Sequence, residues 1–229
     1  MKRLVFGLTG ALLVIAAQSA AAAALITQQD KLSYVMGLET GKAFHTQNIK
    51  VDSTLFSQGL QDGLLNRKAK MTDAAIKQTL QSFQKKARAK MMEQFKQLAE
   101  KNAQAGKDFL AKNQKNDGVK TTSNGLQYKI ISAGAGPKPT ANDTVTVDYE
   151  GKLINGKVFD SSYKRGKPAT FPVKGVIPGW TEALQMMPEG STWDLYIPAK
   201  LAYGKQGAMG AIGPNETLIF KVHLIKIKR

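Results

Sequence analysis

Gly175-Val176-Ile177-Pro178-Gly179-Trp180 is the stretch on which the reading of this chain turns. Trp180, Leu184 and Met187 recur at helical spacing, and Pro188 and Gly190 close the segment, so a short apolar helix follows. Four other segments stand in order around it: Val147-Asp148-Tyr149-Glu150-Gly151, Val158-Phe159-Asp160-Ser161-Ser162, Ile197-Pro198-Ala199-Lys200-Leu201-Ala202-Tyr203-Gly204 and Leu218-Ile219-Phe220-Lys221-Val222. Apolar and aromatic residues dominate them, with almost no reactive chemistry. The pattern points to an apolar pocket that acts on its substrate without a nucleophile, metal or cofactor.

Working outward, the flanking residues alternate. Leu126, Tyr128 and Ile130 share one face of a strand. Val145, Val147 and Tyr149 share another, with Thr146, Asp148 and Glu150 opposite. Trp193, Leu195 and Ile197 alternate next, and Leu218, Phe220, Val222 and Leu224 finish the series. Strict alternation is the mark of half-buried strands. Asn155-Gly156 between two short β-compatible runs predicts a type I′ hairpin. An antiparallel sheet of about five strands with one short helix across it follows.

Toward the N-terminus the chain changes character near residue 120. All eight prolines lie at or after Pro137, and thirteen of the 21 glycines lie at or after Gly125. Residues 25–120 are rich in Ala, Gln, Lys and Leu. Proline blocks helix interiors and glycine weakens them, so this half is helical. Thr27-Gln28-Gln29-Asp30 starts a stretch through Leu32, Val35, Met36 and Phe44; Asp52-Ser53 starts a second through Leu55, Phe56, Leu60 and Leu64; Thr72 caps a third. There Ile76, Leu80, Phe83, Ala87, Met91, Phe95 and Leu98 form one face of a helix reaching about Ala111, with Gly106 as its expected weak point. Asn116-Asp117-Gly118 supplies a turn that ends it.

The apolar stripe of so long a helix requires a covering surface, and the first two helices are too short to make a core alone. A second copy of the chain supplies one, giving a homodimer through the N-terminal segment; packing of all three helices on the C-terminal domain is the alternative. The organisation expected is α+β: 1–24 a signal, 25–71 a helical dimerisation segment, 72–118 a long connecting helix, and 119–229 the sheet domain.

The signal is read from Lys2 and Arg3, the apolar run to Ala17 and the small residues 19–24. These are the charged, apolar and cleavage regions of a secretory leader, and the run falls short of the roughly 20 residues that span a bilayer. A membrane anchor is the other reading.

The chain has 33 Lys+Arg against 17 Asp+Glu, a net charge of +16, and no cysteine. The absence of cysteine excludes disulfides, thiol catalysis and thiolate metal sites. The histidines, His45 and His223, have no ligand-spaced neighbours, so no metal is expected. Ser161 and Ser162 have no nearby histidine in sequence to make a hydrolase, and Gly207, Gly210 and Gly213 lack the strand-then-helix setting of a nucleotide loop. Lys85-Lys86-Ala87-Arg88-Ala89-Lys90 would suit anionic lipid or nucleic acid, or simply be a solvated helix face; export argues against nucleic acid as a partner.

The five segments resemble the FKBP family of peptidyl-prolyl cis-trans isomerases over roughly residues 120–229. The whole layout resembles the family's macrophage infectivity potentiator branch: signal, helical dimerisation segment, long helix, isomerase domain. The resemblance implies an FKBP-like fold, isomerisation of X–Pro bonds without a cofactor, and chaperone capacity. It also implies proline-containing polypeptides and macrolide FKBP ligands as partners, and a periplasmic, outer-membrane or cell-surface place in a Gram-negative bacterium. By the same resemblance Trp180 forms the pocket floor, and Tyr149, Phe159, Phe171, Val176, Ile177 and Phe220 form its walls. Tyr203 offers its hydroxyl and Ile177 its amide to substrate carbonyls. Asp160 lies at the edge, held by Arg165 and Tyr149, and Ile212 closes the far side. Taken singly, Phe171 and Phe220 read as plain core. The chain departs from the family at Ala169, where many members carry Phe, and at Ala208 and Ala211, which leave the rim more open. A non-catalytic client-binding module or a surface adhesin is the rival reading.

Overall fold

The computed structural model describes residues 26–208 and 210–229. The expected signal at 1–24 lies outside them. No helix among the described residues is long and apolar enough to cross a membrane. The chain divides into two compact units, Met1–Ala75 and Ile76–Arg229.

The first unit holds α1 (Gln28–Thr46) and α2 (Ser53–Leu64). Local chemistry starts both. Thr27 and Asp30 form a reciprocal capping box, and the Asp52 carboxylate accepts from the amides of Thr54 and Leu55, satisfying donors the helix leaves unpaired. Phe44 meets Phe56 edge to face, with ring centroids 5.4 Å apart. No residue of either helix is buried; Leu32, Val35, Met36, Leu55, Leu60 and Leu64 are all exposed.

α3 (Asp73–Asn113) runs 41 residues, about 60 Å at about 1.5 Å per residue. Thr72 caps it through the Ala75 amide. Leu80, Phe83, Met91, Phe95 and Leu98 stay exposed. Its last turns present a different, polar face to the sheet domain. Gln127 donates to the Leu110 carbonyl and accepts from Asn113 Nδ2, and Phe109 lies 6.0 Å from Tyr196. Gly106, expected as a weak point, is buried on this face instead. A Cβ there would stand 2.4 Å from Thr217 Oγ1, so glycine is what lets the helix approach the domain.

Among the described residues the domain's sheet has seven strands rather than about five: β1 (Val119–Thr121), β2 (Gln127–Ser132), β3 (Thr144–Leu153), β4 (Val158–Ser161), β5 (Ala169–Pro172), β6 (Thr192–Ile197) and β7 (Leu218–Lys228). The order is β1-β2-β6-β7-β3-β4, all antiparallel, with β5 beside β3. The additional strands are short edge pieces, β4 and β5 being interrupted by the single turn of α4 (Ser162–Arg165). α5 (Pro178–Met186) packs Trp180, Ala183 and Leu184 into the core formed by Val145, Val147, Leu195, Ile197, Leu218, Val222 and Leu224. Ile130, expected to share the buried face of Leu126, is exposed where the pairing of β2 with β6 shifts register.

The β3–β4 hairpin differs from the expected type I′. Only Gly156 has a positive φ, at 85°. The Gly156 amide donates to Leu153 O and the Leu153 amide to Lys157 O. This is the three-residue loop in which a type I turn precedes a left-handed glycine. Asn155 is not at positive φ, and its Oδ1 accepts from the Lys157 amide.

Candidate active site

Between α5 and the sheet lies a cavity of about 430 Å³ lined by Tyr149, Phe159, Asp160, Phe171, Gly175, Val176, Ile177, Trp180, Tyr203 and Phe220. Strand alternation delivers Tyr149 from β3 and Phe220 from β7 to the same side of the sheet. α5 delivers Trp180, which is 4% exposed. The rings of Tyr149, Phe171 and Phe220 stand edge-on to Trp180 with centroids at 5.2, 6.0 and 5.3 Å. Phe159 meets Phe220 edge-on at 5.5 Å. Such edge-to-face packing suits ring quadrupoles and holds the aromatic walls rigid.

One polar network interrupts the apolar lining. The Tyr149 hydroxyl donates to Asp160 Oδ2 at 2.5 Å, Arg165 donates from Nη1 to Asp160 Oδ1, and Arg165 Nη2 donates to the Tyr149 oxygen at 2.9 Å. The guanidinium also sits 5.4 Å from the Tyr149 ring centroid, within cation–π range. Burial pushes the Asp160 carboxyl up, but the bonds from Tyr149 and Arg165 outweigh it and hold it below the usual carboxylate range. Burial, reinforced by the bond to Asp160, raises the Tyr149 phenol. The pair is therefore a fixed phenol and carboxylate at neutral pH.

The structure brings together nine of the eleven residues expected at the pocket. Arg165 stands behind Asp160 rather than in the lining. Ile212 is 7% exposed and packs in the core, and its backbone bridges Ala208. Ala169, Ala208 and Ala211 also lie outside the lining. Tyr203 is 42% exposed at the mouth. Neither its hydroxyl nor the Ile177 amide has a hydrogen-bond partner among the described residues.

Two contributors escaped the sequence. Gly175 lines the pocket with backbone alone. Ser162 is fully buried: its Oγ accepts from the Tyr149 amide at 2.9 Å and donates to Asp148 Oδ1 at 2.8 Å. Ser161 caps α4 through the Lys164 amide, so the two serines after Asp160 build the turn that carries Arg165. Their adjacency to Asp160 was the available signal.

The lining holds no paired nucleophile and base, but it holds a rigid aromatic cage with fixed polar groups at one edge. That makes the domain one of the class that binds and turns a substrate without covalent chemistry. Residues 136–225 match the family model for FKBP-type peptidyl-prolyl cis-trans isomerase, and residues 29–130 match the model for the domain amino-terminal to it. The chain is 55% identical over its full length, and that of the relative, to the peptidyl-prolyl cis-trans isomerase Mip of Coxiella burnetii. It is 48% identical to the outer membrane protein MIP of Legionella longbeachae, covering all of this chain and 98% of that one. The crystal structure of FkpA from Escherichia coli superposes with a TM-score of 0.72 at 40% identity, over 90% of this chain and 99% of that one. The chain belongs to the FKBP family and is an FKBP-type peptidyl-prolyl cis-trans isomerase.

Proposed function

We propose that this pocket accelerates X–Pro rotation by binding the twisted amide better than the planar one. An amide resists rotation with a barrier of about 18–20 kcal/mol because resonance stiffens the C–N bond, and X–Pro bonds exchange over tens of seconds or longer. The twisted state has lost resonance and charge separation. An apolar, water-poor cage therefore tolerates it better than the planar dipole. Trp180 seats the prolyl ring, with Tyr149, Phe159, Phe171, Val176 and Phe220 around it. Tyr203 and the Ile177 amide donate to substrate carbonyls, and Asp160, held by Arg165 and Tyr149, fixes the polar edge. Catalysis is then differential binding, and a thousandfold gain requires only about 4 kcal/mol. No proton transfer is needed.

The observation that carries this reading is the Trp180-centred cage with its one polar network at the rim. The test is the isomerisation rate of a Pro-containing peptide with wild type, Tyr203→Phe and Trp180→Leu. Lower rates in both variants support the assignments; equal rates in all three remove them. Proline-containing polypeptides are the substrates, and macrolide ligands of the family fit the same cage.

The exposed apolar faces of α1, α2 and the first part of α3 support a homodimer built from the N-terminal helices. Two pockets on one dimer would also hold unfolded clients, which gives the chaperone role. Lys2, Arg3 and the apolar run behind them support export to the periplasm or outer membrane, in keeping with the similarity to the outer membrane protein MIP of Legionella longbeachae.

A further inference from the structure

The turn that carries Tyr203 is tied to the long helix. Asn102 Nδ2, on α3, donates to the Pro214 carbonyl at 2.9 Å, and Asn215 Nδ2 donates back to the carbonyl of Ala99 at 3.2 Å. Ala99 and Asn102 are one helical turn apart, so the two carboxamides cross between the same two backbones. Asn215 then donates its own amide to Gly204 O at 2.8 Å, the residue next to Tyr203. One turn further along α3, Gly106 lies against Thr217, which is buried.

This contact differs from ordinary helix docking. Apolar contact lets a helix slide, whereas a hydrogen bond from a carboxamide fixes distance and direction. Asn215 also sits in the left-handed region, at φ 55°. Non-glycine residues keep that conformation where surrounding contacts over-determine it, and asparagine tolerates it best. Its side chain holds the helix while its main chain holds the turn.

We propose that Asn102 and Asn215 are positioning residues of the isomerase site, forming a latch through which α3 sets the turn bearing Tyr203. The functional part of this proposal rests on the role given to Tyr203 above. The last turns of α3 thereby belong to the scaffold of the active site and are more than a spacer.

The full chain is compared with Asn102→Ala, Asn215→Gly and the double variant, each also combined with Tyr203→Phe. Glycine accepts a φ of 55°, so Asn215→Gly removes the side-chain bond without straining the turn. Three readouts are taken: kcat/KM on a Pro-containing tetrapeptide, melting temperature, and the ring signal of Tyr203 in tyrosine-¹³C-labelled protein, assigned by its loss in Tyr203→Phe. Misplaced catalytic groups lose rate steeply with distance, so each single variant is expected to lose about threefold in kcat/KM and the double about tenfold. The Tyr203 signal should shift in all three, and the latch variants should cost nothing further once Tyr203 is Phe. Where Tyr203→Phe alone lowers the rate, rates within twofold of wild type in the double variant, or a lowered rate with an unmoved Tyr203 signal, overturn the proposal. If Tyr203→Phe alone keeps the full rate, the role of Tyr203 fails separately. The ring signal then decides the latch: a shift upholds it as a structural tie, and an unmoved signal overturns it.

Discussion

The Tyr149 hydroxyl and the Asp160 carboxylate meet at 2.5 Å across the β3–β4 pair. Asp160 stands opposite Gly151 in the register, a residue with no side chain. The space beside Gly151 is taken by the Phe159 and Phe220 rings, and the Asp160 carboxylate reaches the diagonal neighbour Tyr149, two residues along the same face, a reach that diagonal pairs in a sheet permit.

That geometry makes Asp160→Ala informative. The substitution leaves the Arg165 guanidinium beside Tyr149 with no counter-charge, and the phenol loses its acceptor. The expected result is a loss of about tenfold in kcat/KM on a Pro-containing peptide, on the scale that misplaced catalytic groups cost, with Arg165→Ala showing a smaller loss in the same direction. An unchanged rate in Asp160→Ala would show that the network only builds the rim.

The same network fixes a pH dependence. The folded Asp160 carboxyl titrates below its ordinary value. Its contribution to stability is thus fully present above the unfolded pKa, about 3.9, and is lost as pH falls through the folded one. The folded Tyr149 phenol titrates above its ordinary value, so its contribution is present below about pH 10 and is lost as pH rises through the folded value. The isomerase rate should be flat from about pH 5 to 9. In thermal melts the stability gap between wild type and Asp160→Asn should narrow below about pH 4. A gap that stays constant down to pH 3 would contradict the shift.

Much of this was readable from the chain because it is local. Thr27 with Asp30, Asp52 and Thr72 announce helix starts by their own cap chemistry, and the alternation in β3, β6 and β7 needs only the two-residue period. The face of α3 that docks on the domain was not readable. Ala99, Asn102, Gly106 and Asn113 on it are small or polar and carry no hydrophobic periodicity, and the first three acquire meaning only from Asn215, Pro214 and Thr217, more than a hundred residues away. At the pocket, Ser162 was weighed as a nucleophile, whereas its hydroxyl is consumed by the Tyr149 amide and Asp148.

Gly106 offers a direct test of the docking. An alanine Cβ would stand 2.4 Å from Thr217 Oγ1 but 3.3 Å from Thr217 Cβ. Gly106→Ala should destabilise the domain by about 1–3 kcal/mol, as overpacking does, which lowers the melting temperature by about 2–4 °C per kcal/mol in a chain of this size. Adding Thr217→Ala removes the clashing oxygen and should recover part of the loss. Melting-temperature losses that simply add in the double variant would show that the two residues do not oppose each other.

The N-terminal helices carry the last prediction. Leu32, Val35, Met36, Leu60, Leu80, Phe83 and Met91 are among the large apolar residues exposed along these helices, and a contiguous apolar face marks an interaction site. Burying it contributes about 25 cal/mol per Å², and stable interfaces cover about 1,200–2,000 Å² in total, so a second copy of the same helices is a sufficient partner. Light scattering on the chain from residue 25 onward should give a dimer, and deletion of residues 25–71 should give a monomer. Raising the salt should not dissociate the dimer, because screening weakens charge pairs rather than apolar contact. Val35→Asp with Leu60→Asp should weaken it at micromolar concentration. The deletion should leave kcat/KM on a short peptide unchanged, since every residue lining the pocket lies beyond the end of α3. A monomer both with and without residues 25–71 would refute the dimer, and a deletion that slowed the short peptide would show that the first unit also shapes the pocket.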